Sequence, residues 1–233
     1  SYFFNISGES IIRHFEYGIK KMKEHFPEAT FDTYSSEEPC FTSALPFILK
    51  SFGFKYASLK NPNTCWGGYT RAFGGELLNW VGPEGTKIPT VPRYSSEKLV
   101  DFSTWQTQAW TNSEDFFSDA MKQGIKNPIG MCLQDAGWTT GPWLNNKQGN
   151  TQYITWYNYF NNVVSKPTID WMLTQEDIQV SLVWGSQKLQ QIAQRVRSTE
   201  NKIVQAEKLS TIAQLQGGYY RPEELIDEAW RNL

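Results

Sequence analysis

The first regular pattern along the chain is that of an amphipathic helix. From about Ser7 to His25, apolar residues recur at spacings of three and four, which is the repeat of a helix with one buried stripe. Pro27 follows and cannot continue a helix, so we expect the helix to end just before it. The stripe comprises Ile12, Phe15, Ile19, Met22 and Phe26.

Two short strands flank the next predicted helix. They are ATFDTYSS and FKYASL, in which β-branched and aromatic residues are prominent. Between them, Thr42 or Ser43 can cap a helix, and Gly53 occupies the position where a helix C-terminus favours a left-handed residue. The apolar face of this helix comprises Leu45, Ile48, Leu49 and Phe52. This order predicts a βαβ unit with parallel strands.

A similar alternation of strands and helices continues downstream. ELLNWVG and KIPTV lie on either side of residues 83–85, a turn sequence that predicts a hairpin. A further helix is expected to begin at Asn112 or Ser113 and to end at Gly124. Its apolar face comprises Phe116, Phe117, Ala120 and Met121. The segment IGMCLQ then predicts a strand, with Asp135 directly after it.

Long helices replace this pattern after about residue 165. A narrow apolar stripe predicts one continuous helix over residues 187–215, which Gly217 and Gly218 end. Pro222 begins another helix that is expected to pack against the long one. The stripe of the long helix comprises Ile192, Val196, Thr199, Ile203, Ala206, Ser210 and Ala213, and the core face of the next comprises Ile226, Ala229, Trp230 and Leu233. These helices indicate the start of an antiparallel bundle.

The charge balance argues against nucleic acid as a partner. The chain has 22 basic and 24 acidic residues, so it lacks the basic field that phosphate backbones attract. Because no apolar run is long enough to span a membrane, we expect a soluble chain, cytoplasmic or exported, without a membrane partner. The cysteines, Cys40, Cys65 and Cys132, lack zinc-site spacing, and His14 and His25 do not share the helix face that a metal pair requires.

Acidic residues follow two of the predicted strands. Glu37 and Glu38 come just after ATFDTYSS, and Asp135 comes just after IGMCLQ. Because the loops after parallel strands open onto one rim, these carboxylates are expected to face a shared cleft. Retaining glycoside hydrolysis needs two carboxylates roughly 5 to 5.5 Å apart, one as nucleophile and one as acid and base. The alternative is that these acids are helix caps or loop residues without a catalytic role.

Aromatic residues lie close to these acids or in similar loops. Trp138 and Trp143 follow Asp135 in a glycine-containing loop, and Trp66 and Tyr69 lie in another such loop. Flat aromatic faces beside a polar acid are typical of a sugar-binding cleft. We therefore predict that these four aromatic residues, together with Glu38, bind substrate. The alternative is that the tryptophans are core residues.

Four blocks of the sequence carry a resemblance to a known family. They are SGESIIRHFEYG, EEPCFTSALPFILKSFGFKYA, NWVGPEGTKIPTVPRY, and RVRSTENKIVQAEKL followed by YRPEELIDEAWRNL. In this order they resemble the alpha-mannosidases of glycoside hydrolase family 38, over essentially the whole chain. The resemblance implies an α/β fold, a (β/α)7 barrel followed by a three-helix bundle and β-rich domains. Residues 1–165 would then form part of the barrel, and residues 166–233 the start of the bundle.

The resemblance also implies roles for the acids. The acid before the LP helix would be the nucleophile and a zinc ligand, which gives both roles to Glu37, with Glu38 one residue away. Asp135 would be the acid and base. The family's block reads Asp, any residue, Phe, Gly, any residue, Ser, whereas residues 37–42 of this chain read EEPCFT. The expected nucleophile is therefore a glutamate.

An alpha-linked mannoside as substrate and zinc as cofactor of the parent enzyme are further implications of the resemblance. The family's His-x-Asp and His-His-Asp metal motifs are absent from this sequence and are expected before Ser1 and after Leu233. We therefore expect this chain by itself to bind zinc poorly, to be inactive and to form homo-oligomers through exposed strand edges. Three alternatives stay open: a non-catalytic carbohydrate-binding protein, a related barrel hydrolase of alpha-glucans, and a structural fragment without a ligand.

Overall fold

The computed structural model describes residues 3, 6–36, 41–60, 69–96, 114–130, 152–179 and 190–233. The fold is mixed α/β, with a five-stranded, mostly parallel sheet and helices. The contacts divide the chain into two compact units, one of Phe3–Ala29 with Val183–Leu233 and one of Thr30–Leu182. The first helix therefore belongs to the same unit as the C-terminal helices, whereas the domain division predicted from the sequence grouped it with the barrel segment.

The elements are numbered separately as helices and strands, in chain order. The helices are α1 Gly8–His25, α2 Leu45–Ser51, α3 Glu114–Lys122, α4 Trp156–Asn158, α5 Gln190–Gly217 and α6 Glu223–Asn232. The strands are β1 Thr33–Tyr34, β2 Tyr56–Ser58, β3 Tyr69–Thr70, β4 Leu78–Val81, β5 Lys87–Val91, β6 Asp170–Trp171 and β7 Ile178–Gln179. A π-helical turn over Tyr159–Val163 continues α4, and a 3-10 turn over Gln175–Asp177 precedes β7.

The larger sheet has the strand order β1-β2-β5-β4-β6. β1, β2 and β5 run parallel to one another, with Thr33 opposite Tyr56 and Ala57 opposite Thr90. β4 pairs antiparallel with β5, and β6 runs parallel to β4. Gly85 in the turn between β4 and β5 has a φ of 90°, a left-handed conformation that glycine adopts without strain. The predicted parallel strand pair around α2 and the predicted hairpin are therefore confirmed.

Helix α2 begins without the side-chain cap expected from the sequence. Ala44 occupies the cap position, and the Leu45 N–H donates to the backbone carbonyl of Thr42 at 3.0 Å. The predicted cap is therefore wrong, because a backbone hydrogen bond closes this first turn. Pro46 lies in that turn, where its missing N–H costs no helix hydrogen bond. At the other end, Gly53 has a φ of 87°, as predicted for the residue that ends a helix.

Aromatic and aliphatic side chains form the core of the sheet unit. Trp80 on β4 is fully buried, and its ring meets that of Phe41 edge to face, with the centroids 6.4 Å apart. The ring of Tyr34 on β1 contacts Phe41 from another direction. A second cluster of buried residues comprises Val91, Tyr94, Ala120, Ile125, Ile129, Tyr159 and Phe160. This cluster packs α3 and the π-helical turn against the residues at the end of β5.

Helix α3 forms where the sequence predicts it, and Gly124 follows it with a φ of 85°. Ala120 is fully buried but Met121 is exposed, so the predicted apolar face is only partly correct. The two residues proposed as its cap lie outside the described residues. Of the predicted strand IGMCLQ, only Ile129 and Gly130 are described, and neither is in a strand.

Helix α5 is continuous over Gln190–Gly217, which confirms the long helix predicted from the apolar stripe. It packs against α6 through a buried cluster of Ile203, Ile226 and Trp230. The predicted contact between these two helices is therefore confirmed.

The buried face of α5 is offset from the predicted stripe by one position along the helix. Glu200 and Ile203 are buried, whereas Thr199 and Ala206 are exposed. The predicted stripe followed the apolar and small residues of the sequence. The observed face instead includes Glu200 and Glu207, because both glutamates bind partners on the other helices of this unit.

Helix α1 begins close to where the sequence predicts it, and Ser7 caps it, since Ser7 Oγ accepts the Ser10 N–H at 3.1 Å. Its buried positions are Ser10 and Ile11. Three members of the predicted stripe are exposed, namely Ile12, Met22 and Phe26. The first turn faces α5 because Ser7 and Ser10 both donate hydrogen bonds to Glu200.

Candidate functional site

Three parallel strands of the larger sheet end on the same side. β1, β2 and β5 run in one direction, so the segments that follow them leave the sheet at one edge. These segments are Ser35–Ser36, Leu59–Lys60 and Pro92–Tyr94. In parallel α/β sheets, ligands and reacting groups collect at this edge because the loops there vary without disturbing the strands. We call it the carboxyl edge.

Most residues predicted for the site lie outside the described residues. These are Glu37, Glu38, Trp66, Asp135, Trp138 and Trp143. Tyr69 begins β3, whose backbone pairs with β7 in a separate two-stranded sheet. Ser36, at the carboxyl edge, directly precedes Glu37, and Gly130 precedes Asp135 by five residues. That these carboxylates share a cleft therefore stays a prediction.

A lysine that was not predicted from the sequence lies at the carboxyl edge. Lys60, two residues past the end of β2, is only 1% exposed. Its Nζ lies 3.3 Å from the centroid of the Tyr94 ring, which is a cation–π contact. Its backbone N–H donates to Ser58 Oγ at 3.2 Å. Lysine is almost never fully buried unless its charge is compensated, so this position has unusual electrostatics.

Arg93 adds a second cation to the carboxyl edge. It follows the end of β5 by two residues and is 8% exposed. Burial lowers the pKa of Lys60 well below its usual value, and the positive charge of Arg93 lowers it further. Arg93 therefore places positive charge at this edge, whereas the lowered pKa of Lys60 favours its neutral amine. Positive charge favours the ionised form of any carboxylate placed beside it.

Tyr94 connects the segment after α3 to the carboxyl edge. Its Oη accepts a hydrogen bond from the Ile129 N–H at 3.2 Å. The neighbouring Tyr159 donates from its hydroxyl to the backbone oxygen of Asn127 at 2.7 Å. Burial raises the pKa of both tyrosines, so both phenols are protonated at neutral pH. These contacts fix the segment that precedes Asp135 in the sequence.

The sequence carried only a weak signal for this cluster. Lys60 directly follows the strand FKYASL, the same kind of position from which Glu37 and Asp135 were predicted. A lysine at a strand end is ordinarily exposed, and no local pattern distinguishes a buried one. Its ring contact is with Tyr94, which is distant in the sequence.

Metal ligands and membrane-spanning helices are both absent from the part of the chain that the structure describes. No three His, Cys, Asp or Glu side chains lie close enough together there to hold a metal ion. The metal-ligand role predicted for Glu37 falls on a residue outside that part. Of the helices described, none is both long and apolar enough to cross a bilayer.

The fold and the carboxyl edge define an α/β protein whose parallel strands present buried cationic and aromatic side chains at their carboxyl ends. In comparisons with known proteins, the chain matches no protein-family model, no curated protein and no solved structure. The likeness to family 38 therefore rests on the sequence blocks alone.

Replacing Lys60 with methionine is expected to flatten the dependence of stability on alkaline pH. Because the pKa of Lys60 is lower in the folded chain than in the unfolded chain, the unfolded chain binds more protons between these two values. Lys60 therefore makes the free energy of unfolding rise with pH up to about 10.4, by at most about 1.4 kcal/mol per pH unit. Urea unfolding from neutral to alkaline pH measures this slope for both proteins.

The matched control is Lys55→Met, since Lys55 lies one residue before β2 and is exposed. This variant should keep the slope of the original protein. Parallel stability curves for Lys60→Met and the original protein would show that Lys60 does not change its protonation on unfolding in this range.

Proposed function

We propose that the parent protein is a retaining glycoside hydrolase of the alpha-mannosidase type that acts on alpha-linked mannose. The observation that carries this proposal is the buried cluster of Lys60, Arg93 and Tyr94 at the carboxyl edge. One of the strands that end at this edge, β1, is followed by Ser35 and Ser36 and then by the proposed nucleophiles Glu37 and Glu38. Five mostly parallel strands with helices also support the proposal that the sheet is part of a (β/α)7 barrel.

The proposed reaction uses two carboxylates in two steps. In the first, Glu37 or Glu38 attacks the anomeric carbon while Asp135 donates a proton to the departing oxygen, so the glycosidic bond breaks as a glycosyl ester forms. In the second, Asp135 removes a proton from water, which attacks the same carbon and releases the carboxylate. A nucleophile must be ionised, and the positive charge of Arg93 favours that state for a carboxylate beside it.

The proposed sugar contacts come from aromatic side chains. Trp66, Tyr69, Trp138 and Trp143 would stack against the apolar faces of the mannose rings, and Glu38 would accept hydrogen bonds from hydroxyls. The cluster at the carboxyl edge contains one aromatic ring, that of Tyr94, and Lys60 Nζ occupies a face of this ring. Sugar stacking is therefore assigned to the other aromatic residues.

Zinc enters this proposal only through the resemblance. The described residues do not provide three neighbouring metal-binding side chains, so they do not fit a zinc site. The proposal assigns one zinc-binding carboxylate, Glu37, to this chain. It places the histidine motifs of the family in flanking sequence.

The proposal is tested by comparing the 233-residue chain with the same chain plus its flanking sequence. Zinc binding is measured by calorimetric titration, and turnover is measured with 4-nitrophenyl alpha-mannoside. We expect the longer protein to bind zinc and to hydrolyse the mannoside, and the chain alone to do neither. 4-Nitrophenyl alpha-glucoside distinguishes the hydrolase of alpha-glucans, which would prefer that substrate.

Two results would contradict parts of this proposal. Stoichiometric zinc binding with turnover by the chain alone would show that its ligands lie elsewhere and that it is an enzyme by itself. If the longer protein is retained by an immobilised mannan column but hydrolyses neither glycoside, it would instead be a non-catalytic carbohydrate-binding protein.

A further inference from the structure

Helix α1 begins with half of a capping box. Ser7 is the capping residue, and its Oγ accepts the N–H of Ser10, the third residue of the helix, at 3.1 Å. In a complete box, a Glu or Gln at that third position accepts the N–H of the capping residue. Because the third residue here is a serine, α1 does not supply this acceptor itself.

Glu200 of α5 supplies the missing acceptor. Its Oε1 accepts the Ser7 N–H at 3.0 Å and the hydroxyl hydrogen of Ser10, and its Oε2 accepts from Arg197 Nη1 at 3.0 Å. Glu200 is 1% exposed, and its charge lies at the positive end of the α1 dipole. A residue 193 positions away thus completes the capping box. The start of α1 therefore depends on its contact with α5.

A second polar contact holds α1 two turns further on. Arg13 Nη2 pairs with Glu207 Oε1 of α5 at 3.0 Å, and Trp230 Nε1 of α6 donates to the same oxygen at 3.1 Å. The guanidinium carbon of Arg13 lies 5.4 Å from the centre of the Trp230 ring. Arg13 also pairs with two acids of its own helix, Glu9 and Glu16.

An ion pair of α6 and a tyrosine of α1 lie near this contact. Arg231 pairs with Asp227 at 2.8 Å, and its guanidinium carbon lies 5.2 Å from the centre of the Tyr17 ring. A hydrogen bond from Tyr17 lowers the pKa of Asp227, and burial raises the pKa of Tyr17 to about 12. Neither group changes its charge between neutral pH and mild acid.

We propose that Glu200 is an acid-sensitive latch for α1. Its ionised carboxylate holds the first turns of α1 on α5, and protonation of that carboxylate releases them. The contact of the Arg13 guanidinium with the ring of Trp230, which needs no carboxylate, then keeps the later turns in place, so the opening is local.

The direction of the pH dependence follows from the pKa of Glu200. Burial raises this pKa, but the hydrogen bonds from Ser10 and Ser7 and the charge of Arg197 outweigh burial and leave it below its usual value. A carboxyl group of this kind stabilises the folded state above its unfolded pKa of about 4.3. That stabilisation is lost as the pH falls through the lower, folded pKa. The latch is therefore closed at neutral pH and opens in acid.

Amide hydrogen exchange of the full chain, resolved by mass spectrometry, tests the latch. Glutamine in place of Glu200 keeps the size and an acceptor oxygen but removes the charge. At neutral pH, Glu200→Gln is expected to reduce the protection of the first two turns of α1 by about tenfold, because a hydrogen bond to a charged group is stronger than one to a neutral group. Protection of β4 and β5 should be unchanged. In acid, the original protein should lose protection in α1 until it matches the variant.

Two further variants complete the test. Glu228→Gln changes an exposed acid of α6 and should leave α1 unchanged. Ser10→Ala keeps the carboxylate and removes one donor, so it should reduce protection of α1 a few-fold, and it serves as the test if Glu200→Gln does not fold. If Glu200→Gln leaves the protection of α1 unchanged, or reduces protection equally in α1, β4 and β5, the proposed latch is wrong.

Discussion

Replacing Asp135 with asparagine in the proposed glycosidase is expected to lower the turnover of an aryl alpha-mannoside by about 10³-fold, the scale of the contribution that a positioned general acid and base makes. An amide cannot protonate the departing oxygen, and it cannot remove a proton from the attacking water. Both steps of the proposed reaction therefore slow. Steady-state hydrolysis of 4-nitrophenyl alpha-mannoside by the protein with its flanking sequence measures the loss.

The leaving group provides a sharper test of this role. A dinitrophenolate departs without protonation, so the first step in Asp135→Asn should recover with a dinitrophenyl mannoside, while the second step stays slow. Added azide, which attacks without base catalysis, should then raise the rate and yield a mannosyl azide. Replacing the nucleophile, as in Glu37→Gln or Glu38→Gln, should show neither recovery.

The control for this series is Asp119→Asn. Asp119 lies on α3 and pairs with Lys122 on the protein surface, so its amide variant should keep full turnover. An Asp135→Asn protein with unchanged turnover on both mannosides would remove the assignment of Asp135 as acid and base.

Replacing Trp80 with alanine is expected to destabilise the sheet unit by about 3 to 5 kcal/mol, the usual cost of deleting a buried aromatic side chain. Trp80 lies on β4 between β5 and β6, is 0% exposed, and packs its ring against Phe41. Alanine leaves a cavity that the surrounding side chains fill only in part. Urea unfolding followed by far-ultraviolet circular dichroism measures the change in the free energy of unfolding.

A phenylalanine variant separates volume from polarity at this position. Trp80→Phe keeps an aromatic ring and removes the indole N–H, a buried donor without an acceptor among the described residues. Removing such a donor relieves a desolvation cost of about 1 to 3 kcal/mol, which offsets part of the lost packing.

The control for Trp80 is Tyr157→Ala. Because Tyr157 is 57% exposed, this variant should change the free energy of unfolding by no more than about 0.5 kcal/mol. A Trp80→Ala protein as stable as Tyr157→Ala would show that the core is not built on Trp80.

Local order along the chain could be predicted from the sequence. The spacing of apolar residues and the proline after them located α1, and the same kind of spacing located α5. Glycines marked the ends of elements, and Gly53 and Gly85 have the left-handed backbone that those positions need. These signals are local, because helical periodicity and backbone preference are properties of a few consecutive residues.

The faces that these helices bury could not be predicted in the same way. Thr199 was predicted to be inside and is exposed, whereas its neighbour Glu200 is buried. A hydrophobicity pattern places a glutamate outside, since burying an unpaired charge is costly. Here Ser7, Ser10 and Arg197 donate hydrogen bonds to the buried carboxylate and offset this cost. Only Arg197 is near Glu200 in the sequence.

The sequence by itself determined the mixed α/β class of the fold, the places of its main helices and of strands β1, β2, β4 and β5, and the strand ends at which polar chemistry is expected, but it did not indicate β3, β6 or β7. The tertiary structure decided which charged groups are buried at those places. Lys60 is buried at the carboxyl edge, where Tyr94 from another strand end presents its ring to the side-chain nitrogen. Glu200 is buried because α1 presents hydrogen-bond donors to it. A buried charge is stable only with partners, and here partners come from distant parts of the chain, which no local pattern records.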